Sequence, residues 1–490
     1  MNIRDARQEI IHTIKAYTAK NTDGSYRIPL LRQRPLLLIG PPGIGKTAVM
    51  EQAALACGVG FVSYTMTHHT RQSAIGLPFI EHQNFNGREY AVTEYTMSEI
   101  IASVYRCMEE TGHKEGLLFL DEINCVSETL APAMLQFLQT KMFGSHRLPD
   151  GWVLAAAGNP SQYNKSVREF DIATLDRLKY ISIESDYQAW RAYAMEMNIH
   201  GAILAYLDTK PDQFYLLKQT FSSKSFVTAR GWEDLSCILL EYEDLELPVS
   251  AELIAQYLHC EELAHDFAGF YSLYQTKKEA LPVAAMMAGD SNAFTVCFSQ
   301  IKDASFSEKL YLVHLMLSHL GSRLQSWKET CDRQKIFSDL LDRLERFRKQ
   351  QCLTSELKAI PAFLEKERQV LQVRKEHGLS TEIELQRMRL SLYLLQDLSY
   401  RMQAESVPNG KTRFLADLSK AVEAESAQVC ACITSSISFL EQSADPEYTF
   451  FLAALQQNPL FDRYIKQNPN KTFADAAARL DFASREASLR

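Results

Sequence analysis

The segment Gly40-Pro41-Pro42-Gly43-Ile44-Gly45-Lys46-Thr47 fits the spacing G-x-x-x-x-G-K-[ST] of a phosphate-binding loop. Such a loop works only between a strand and a helix, so it fixes the local fold. Pro35-Leu36-Leu37-Leu38-Ile39 reads as a short buried strand running into it. Thr47 to Ala56 reads as the helix leaving it, and Gly58 is placed to end that helix. The glycines let backbone N–H groups close around an anion. The helix N-terminus adds a favourable potential for phosphate. In this arrangement Lys46 reaches the β- and γ-phosphates and the Thr47 hydroxyl ligands Mg²⁺. Residues Gly40 through Ala48 are the candidate nucleotide-binding segment.

A second element answers the first. Gly116-Leu117-Leu118-Phe119-Leu120-Asp121-Glu122 reads as a buried strand that ends in two carboxylates. Asp121 at the strand tip is placed to hold Mg²⁺ through water. Glu122 is then the general base for the attacking water. A surface strand ending in a solvated acidic pair is the competing reading, and the upstream loop weighs against it.

The chain of 490 residues is 46% hydrophobic and 23% charged, an ordinary globular composition long enough for about three domains. Its net charge of -8 argues against a protein that coats nucleic acid. No apolar run approaches the roughly 20 residues of a membrane helix. The N-terminus has charge without a following apolar core, which is not the pattern of a secretory signal. Ten cysteines scattered through helical and strand patterns fit a reducing cytoplasm. Cys430-Ala431-Cys432 has no second pair nearby to complete a zinc site and reads as buried helical thiols.

Residues 1–186 alternate apolar runs with helical patterns. The expected strands are Leu36–Ile39, Phe61–Met66, Leu117–Leu120, Val153–Ala157 and Tyr180–Ile183. That alternation predicts an α/β fold, a parallel five-stranded sheet flanked by helices. An insert between about His68 and Thr96 carries an Asn86-Gly87 hairpin signal. A second hairpin is expected between Met142 and Val153. Residues 187–240 read as a small helical lid. Residues 241–490 read as a long all-helical region, in which Leu340, Leu341, Leu344 and Phe347 suggest a bundle or short coiled coil.

Val153 to Ala157 followed by Gly158-Asn159-Pro160 is a third buried strand, delivering a polar side chain at its tip. In the parallel sheet of a P-loop ATPase such a strand would sit between the nucleotide strand and the acidic strand, where Asn159 could hold the attacking water near the γ-phosphate. With this residue the chain resembles the AAA+ ATPases, and Asn159 falls where that family has its first sensor. Leu175-Asp176-Arg177-Leu178 resembles the family's arginine-finger helix, which implies that Arg177 reaches a neighbouring subunit's γ-phosphate. Arg168 is the rival for that role. Thr228-Ala229-Arg230-Gly231-Trp232 places Arg230 where the second sensor of the lid is expected. The order of these motifs, with the Gly76-Leu77-Pro78 insert, is similar to the MoxR branch. The resemblance covers roughly residues 1–240, and the helical C-terminal half matches no family.

The resemblance implies a ring, of six subunits, with ATP and Mg²⁺ at each junction. It implies chaperone-like remodelling or activation of a protein partner, in this branch one with a von Willebrand factor A domain. Phe79, Phe85, Phe143 and His146 are the candidate client contacts, with local packing as the alternative for each. Two other readings stay open: a nucleic-acid motor or loader on the same fold, and a non-enzymatic scaffold that nucleotide holds together.

Overall fold

Buried parallel strands need side chains that are apolar on both faces, and this chain supplies them in uninterrupted runs at the three central strands of its sheet. Leu36–Ile39 (β1), Gly60–Thr65 (β2), Gly116–Asp121 (β5), Trp152–Gly158 (β8) and Lys179–Ser182 (β9) form one five-stranded sheet in the order β2-β5-β8-β1-β9. All its pairings are parallel. Leu117, Leu118, Phe119 and Leu120 are fully buried, as are Ala155, Ala156 and Ala157. The computed structural model describes residues 1–68, 71–163, 167–168, 170–219, 224–302, 304, 306–352, 356–376, 382–404, 410–443 and 445–479.

The five expected strands all form, Leu36–Ile39 as expected and the others with each end moved by one residue. The strand that ends just before Asn159 lies between β1 and β5, where the sequence reading placed it. Helices Ile3–Thr18 (α1), Lys46–Cys57 (α2), Arg71–Ile75 (α3), Glu99–Thr111 (α4), Ala131–Thr140 (α5) and Ile172–Asp176 (α6) complete the core. Ile100, Ile101 and Val104 of α4 and Met134, Phe137 and Leu138 of α5 pack with Leu118, Leu120, Leu154 and Ala156 of the sheet. The Gly58 stop of α2 is realised in the left-handed conformation, φ 66°.

The insert forms a long antiparallel hairpin, Pro78–Phe85 (β3) with Arg88–Tyr95 (β4). Its turn is Asn86-Gly87 with φ of 52° and 81°, the pair of positive values that a two-residue hairpin turn takes. Met142–Phe143 (β6) and His146–Arg147 (β7) make the second, shorter hairpin.

Contacts divide the chain into two compact units, Met1–Ala189 with Gln372–Leu385, and Trp190–Leu371 with Gln386–Arg490. The second unit is helical: Tyr187–Glu196 (α7), Gly201–Thr209 (α8), Ala229–Asp244 (α9), Ala251–Leu258 (α10), Glu261–Ala280 (α11), Val283–Met287 (α12), Ser291–Ile301 (α13), Phe306–Gln350 (α14), Glu356–Glu376 (α15), Glu382–Ala404 (α16), Gly410–Ser443 (α17), Asp445–Gln457 (α18) and Pro459–Gln467 (α19), of which α7, α15 and α16 each have one end in the first unit. The helical pattern expected over 187–240 is interrupted by an antiparallel hairpin, Leu216–Gln219 (β10) with Lys224–Val227 (β11). Its short apolar runs are too brief for helix and pair with each other instead. Leu340 and Leu344 are buried with Phe337, Phe363, Leu395 and Phe414, and Leu341 and Phe347 pack at the edge, so that stretch is part of a helical bundle. Cys432 is buried in α17, whereas Cys430 on the same helix is exposed, which corrects the expectation for one of the two thiols. Among the described residues no helix is long and apolar enough to cross a membrane.

Two clusters of charged groups in this unit are held by hydrogen bonds. Arg191 of α7 and Asp208 of α8 face each other at 2.6 Å, both almost fully buried, and Arg191 also donates to Gln457 of α18 at 3.3 Å. Glu243 of α9 accepts from His200 at 2.7 Å, Tyr271 at 3.0 Å, Lys278 at 2.7 Å and Gln275. Burial alone would raise the Glu243 carboxyl, but the bonds from His200 and Lys278 outweigh it and bring it down to about 2. A carboxyl depressed in the folded state stabilises fully above its unfolded value, and that contribution is lost as pH falls through the folded value. Glu243→Gln, which mimics the protonated acid, is therefore expected to be less stable than wild type at pH 7 by on the order of 3 kcal/mol. The gap should close as pH is lowered from about 4.5 towards 2. Denaturant unfolding of both proteins across that range measures it.

Candidate active site

The phosphate-binding loop takes its shape from its glycines. Gly43 and Gly45 have φ of 72° and 88°, a region open to glycine and rarely to other residues, and Gly45 caps α2. Gly40 is required by space instead, since a Cβ there would stand 2.9 Å from Ile183 O and 3.0 Å from Ile44 Cδ1. The loop therefore leads into the N-terminus of α2, where an anion is favoured.

Lys46 is the first residue of α2 and is 8% exposed. Its Nζ donates to the carbonyls of Gly40 and Pro41, each at 2.9 Å, and to Asn159 Oδ1 at 2.8 Å. The third bond joins the loop to the tip of β8. Thr47 Oγ1 donates to Asp121 Oδ2 at 2.6 Å, joining α2 to the tip of β5. The other Asp121 oxygen accepts from Glu122 N at 2.9 Å. A hydroxyl and a carboxylate this close are oxygen donors of the kind a hard divalent cation takes. Glu122 Oε2 accepts from Thr67 Oγ1 at 2.8 Å.

Sequence reasoning missed Thr67. Its signal is positional and needs the strand order: Thr65 is opposite Asp121 in the β2–β5 register, so Thr67 lies just beyond the tip of β2 and beside Glu122. Lys46, Thr47, Asp121, Glu122 and Asn159 are thus linked by bonds among loop, helix and strand tips. Arg168 and Arg177 take no part in those bonds. Arg168 is paired with Glu128 at 2.6 Å. Arg177 is the exposed C-cap of α6, with one long bond to Ala173 O at 3.4 Å. Asp171 opens that short helix, and its carboxyl is held below the usual range by the Thr174 hydroxyl and backbone N–H. Arg230 is an exposed residue in the first turn of α9, in the second unit.

Beside the loop lies an open cavity of about 330 Å³ lined by Gly40, Pro41, Tyr163, Tyr180, Ile183 and Glu184, among others. That volume falls in the range of small-molecule sites, roughly 300–1,000 Å³. Phe79 and Phe85 of the insert hairpin are exposed, at 44% and 51%. Phe143 is not available as a surface contact: it is buried and stacks on Phe137 with ring centroids 4.0 Å apart. His146 Nε2 lies 3.0 Å from Tyr95 O.

Residues 36–176 match the family model AAA, the ATPase family associated with various cellular activities. The chain carries an AAA ATPase domain. Among curated proteins none matches the sequence. Solved structures similar to it include C. elegans PCH-2, at 14% identity and a TM-score of 0.24, over 40% of this chain and 46% of that one. The match thus spans less than half of PCH-2.

The AAA domain implies nucleotide binding, and the packing of Gly40 gives a direct check on where. Gly40→Ala drives a methyl group against Ile183 O and pushes the loop from the end of β9. Nucleotide affinity measured by calorimetry is expected to fall at least about tenfold, near 1.4 kcal/mol. Unchanged affinity would place the phosphates away from this loop.

Proposed function

We propose that this chain is a Mg²⁺-dependent ATPase that acts as a ring, of six subunits, to remodel or activate a protein partner. The observation that carries the reading is the joining of Lys46, Thr47, Asp121, Glu122 and Asn159 at the tips of neighbouring parallel strands. Lys46 and the N–H groups of the loop from Gly40 to Ala48 hold the phosphates. Thr47 and Asp121 hold Mg²⁺, which when bound offsets charge on the phosphate oxygens. Glu122 releases Thr67 and takes the proton of the attacking water. Asn159 orients that water.

Arg177 is the finger that stabilises the transition state in a neighbouring subunit, with Arg168 as the rival. The exposure of Arg177, against the ion pair that occupies Arg168, supports this order. Residues 1–186 are the nucleotide core, 187–240 the lid that carries Arg230, and 241–490 a helical region for a partner-specific task. The likeness of the motif order to the MoxR branch supports a ring and a client of the von Willebrand factor A domain type. It also supports a chaperone-like cytoplasmic role. The exposed Phe79 and Phe85, with His146, are the client contacts that remain after Phe143 is set aside.

Three variants test the chemistry. Lys46→Ala is expected to lose ATP binding. Glu122→Gln should bind ATP within a few-fold of wild type and hydrolyse it about 10²–10⁴-fold more slowly. Arg177→Ala should bind normally and lose about 10³–10⁵-fold in turnover. Phosphate release and nucleotide titration measure all three, and an Arg177→Ala ring turning over at the wild-type rate would remove the trans finger. Glu122→Gln with Mg-ATP is also the trap for the client, read by mass spectrometry against Lys46→Ala.

A further inference from the structure

Asn124 belongs to none of the motifs above. It sits in the 3-10 turn Ile123–Cys125 that follows β5, and it is buried. Its carboxamide grips the main chain of residue 159 twice. Nδ2 donates to Asn159 O at 2.7 Å, and Oδ1 accepts from Asn159 N at 3.3 Å. Both backbone partners have fixed polarity, so the amide fits in one orientation only. The side chain does what a neighbouring strand would do and continues the pairing of β8 one residue beyond Gly158.

Gly158 makes the room. A Cβ at that position would stand 2.4 Å from Asn124 Oδ1. The main chain of Asn124 is used as well, since its carbonyl accepts from Arg168 N at 2.9 Å. One buried side chain thus sets the backbone of the residue that contacts Lys46. Its carbonyl holds the segment that carries Arg168.

We propose that Asn124 is a positioning residue for hydrolysis: it fixes the main chain of Asn159 so that the Asn159 side chain stays on Lys46. The inference rests on the reading that this site hydrolyses ATP. No other residue does the same work. Aspartate offers only acceptors and would face Asn159 O with a carboxylate oxygen. Glutamine is one methylene longer and would drive into Gly158. Alanine releases both bonds. A misplacement of about 1 Å in such a constellation lowers the rate by up to about 10²-fold.

The test compares wild type, Asn124→Ala, Asn124→Asp, Gly158→Ala and the Asn124→Ala/Gly158→Ala double variant. Turnover, KM for Mg-ATP, ADP affinity and the thermal midpoint are measured for each. Turnover is expected to fall about 10- to 100-fold in every variant. ADP affinity should stay within about threefold, because no residue of the phosphate-binding loop is replaced and Lys46 keeps its bonds to Gly40 and Pro41. The double variant should be no slower than the slower single, because both changes break one contact. Turnover within twofold of wild type in Asn124→Ala would overturn the proposal. So would turnover, ADP affinity and thermal midpoint all falling together, the mark of a purely structural residue. Asn124→Asp has nearly the same shape and gives the same decision if the alanine variant does not fold. A wild-type protein that releases no phosphate overturns the hydrolysis reading and this inference with it. An active wild type beside an equally active Asn124→Ala overturns this inference alone.

Discussion

The Lys46 ammonium is a buried charge, and the architecture of the first unit is what makes its burial tolerable. An ammonium taken out of water needs its donors satisfied. Lys46 meets three oxygens, two from its own loop and one from Asn159. The loop carbonyls are available because Gly43 and Gly45 turn the chain through positive φ. The Asn159 oxygen is available because β8 lies beside β1 in parallel register, with Ile39 opposite Gly158. Shifting that register by one residue would exchange the faces of the strand and take Asn159 from the lysine. The position of β8 in the sheet is therefore a requirement of the site as well as a feature of the fold.

The second unit handles charge differently. Arg191 and Asp208 are nearly sealed from water, and His314 beside them is driven down to about 4, chiefly by burial, so it stays neutral. The arginine pairs with the Asp208 carboxylate, donates to Gln457 and lies 5.7 Å from the Phe450 ring. Such a pair contributes little net stability, because desolvation offsets its attraction. It does specify which helices pack together. α7 and α8, beside the hairpin that leads to Arg230, share this polar centre with α14 and α18. Removing either charge takes from the other its ion-pair partner in a nearly water-free site.

What was legible in the sequence follows the strength of local physics. The five core strands are short apolar runs with polar tips, and that pattern survives any tertiary context. Asn86-Gly87 specified its turn because few residue pairs accept two positive φ values. The pair β10–β11 was not legible, since Leu216-Leu217 and Phe226-Val227 are as apolar as the helices that flank them. Phe143 was misjudged because its hairpin looks like a surface insert in sequence, while Phe137 of α5 offers a flat ring to stack on. Thr67 was invisible for another reason. Its relation to Glu122 exists only across the β2–β5 pairing, and no single-chain pattern encodes that.

Glu122 combines these themes. It has φ of 56°, left-handed for a residue with a full side chain, a conformation that costs about 1–2 kcal/mol. The surroundings hold it there: its N–H bonds to Asp121 Oδ1 and its carboxylate accepts from Thr67. The left-handed step reverses the chain directly after β5. Asp121 is thereby left on Thr47 while Glu122 is turned to Thr67, so the two adjacent carboxylates serve different partners. The same reversal returns the chain as the turn Ile123–Cys125, from which Asn124 reaches the end of β8. Glycine would relieve the strain and remove the carboxylate. A β-branched residue would raise the strain and shift the turn, and with it Asn124. Keeping a glutamate in this conformation is the expense that lets one short turn present a candidate cation ligand, a candidate base and a clamp on the neighbouring strand.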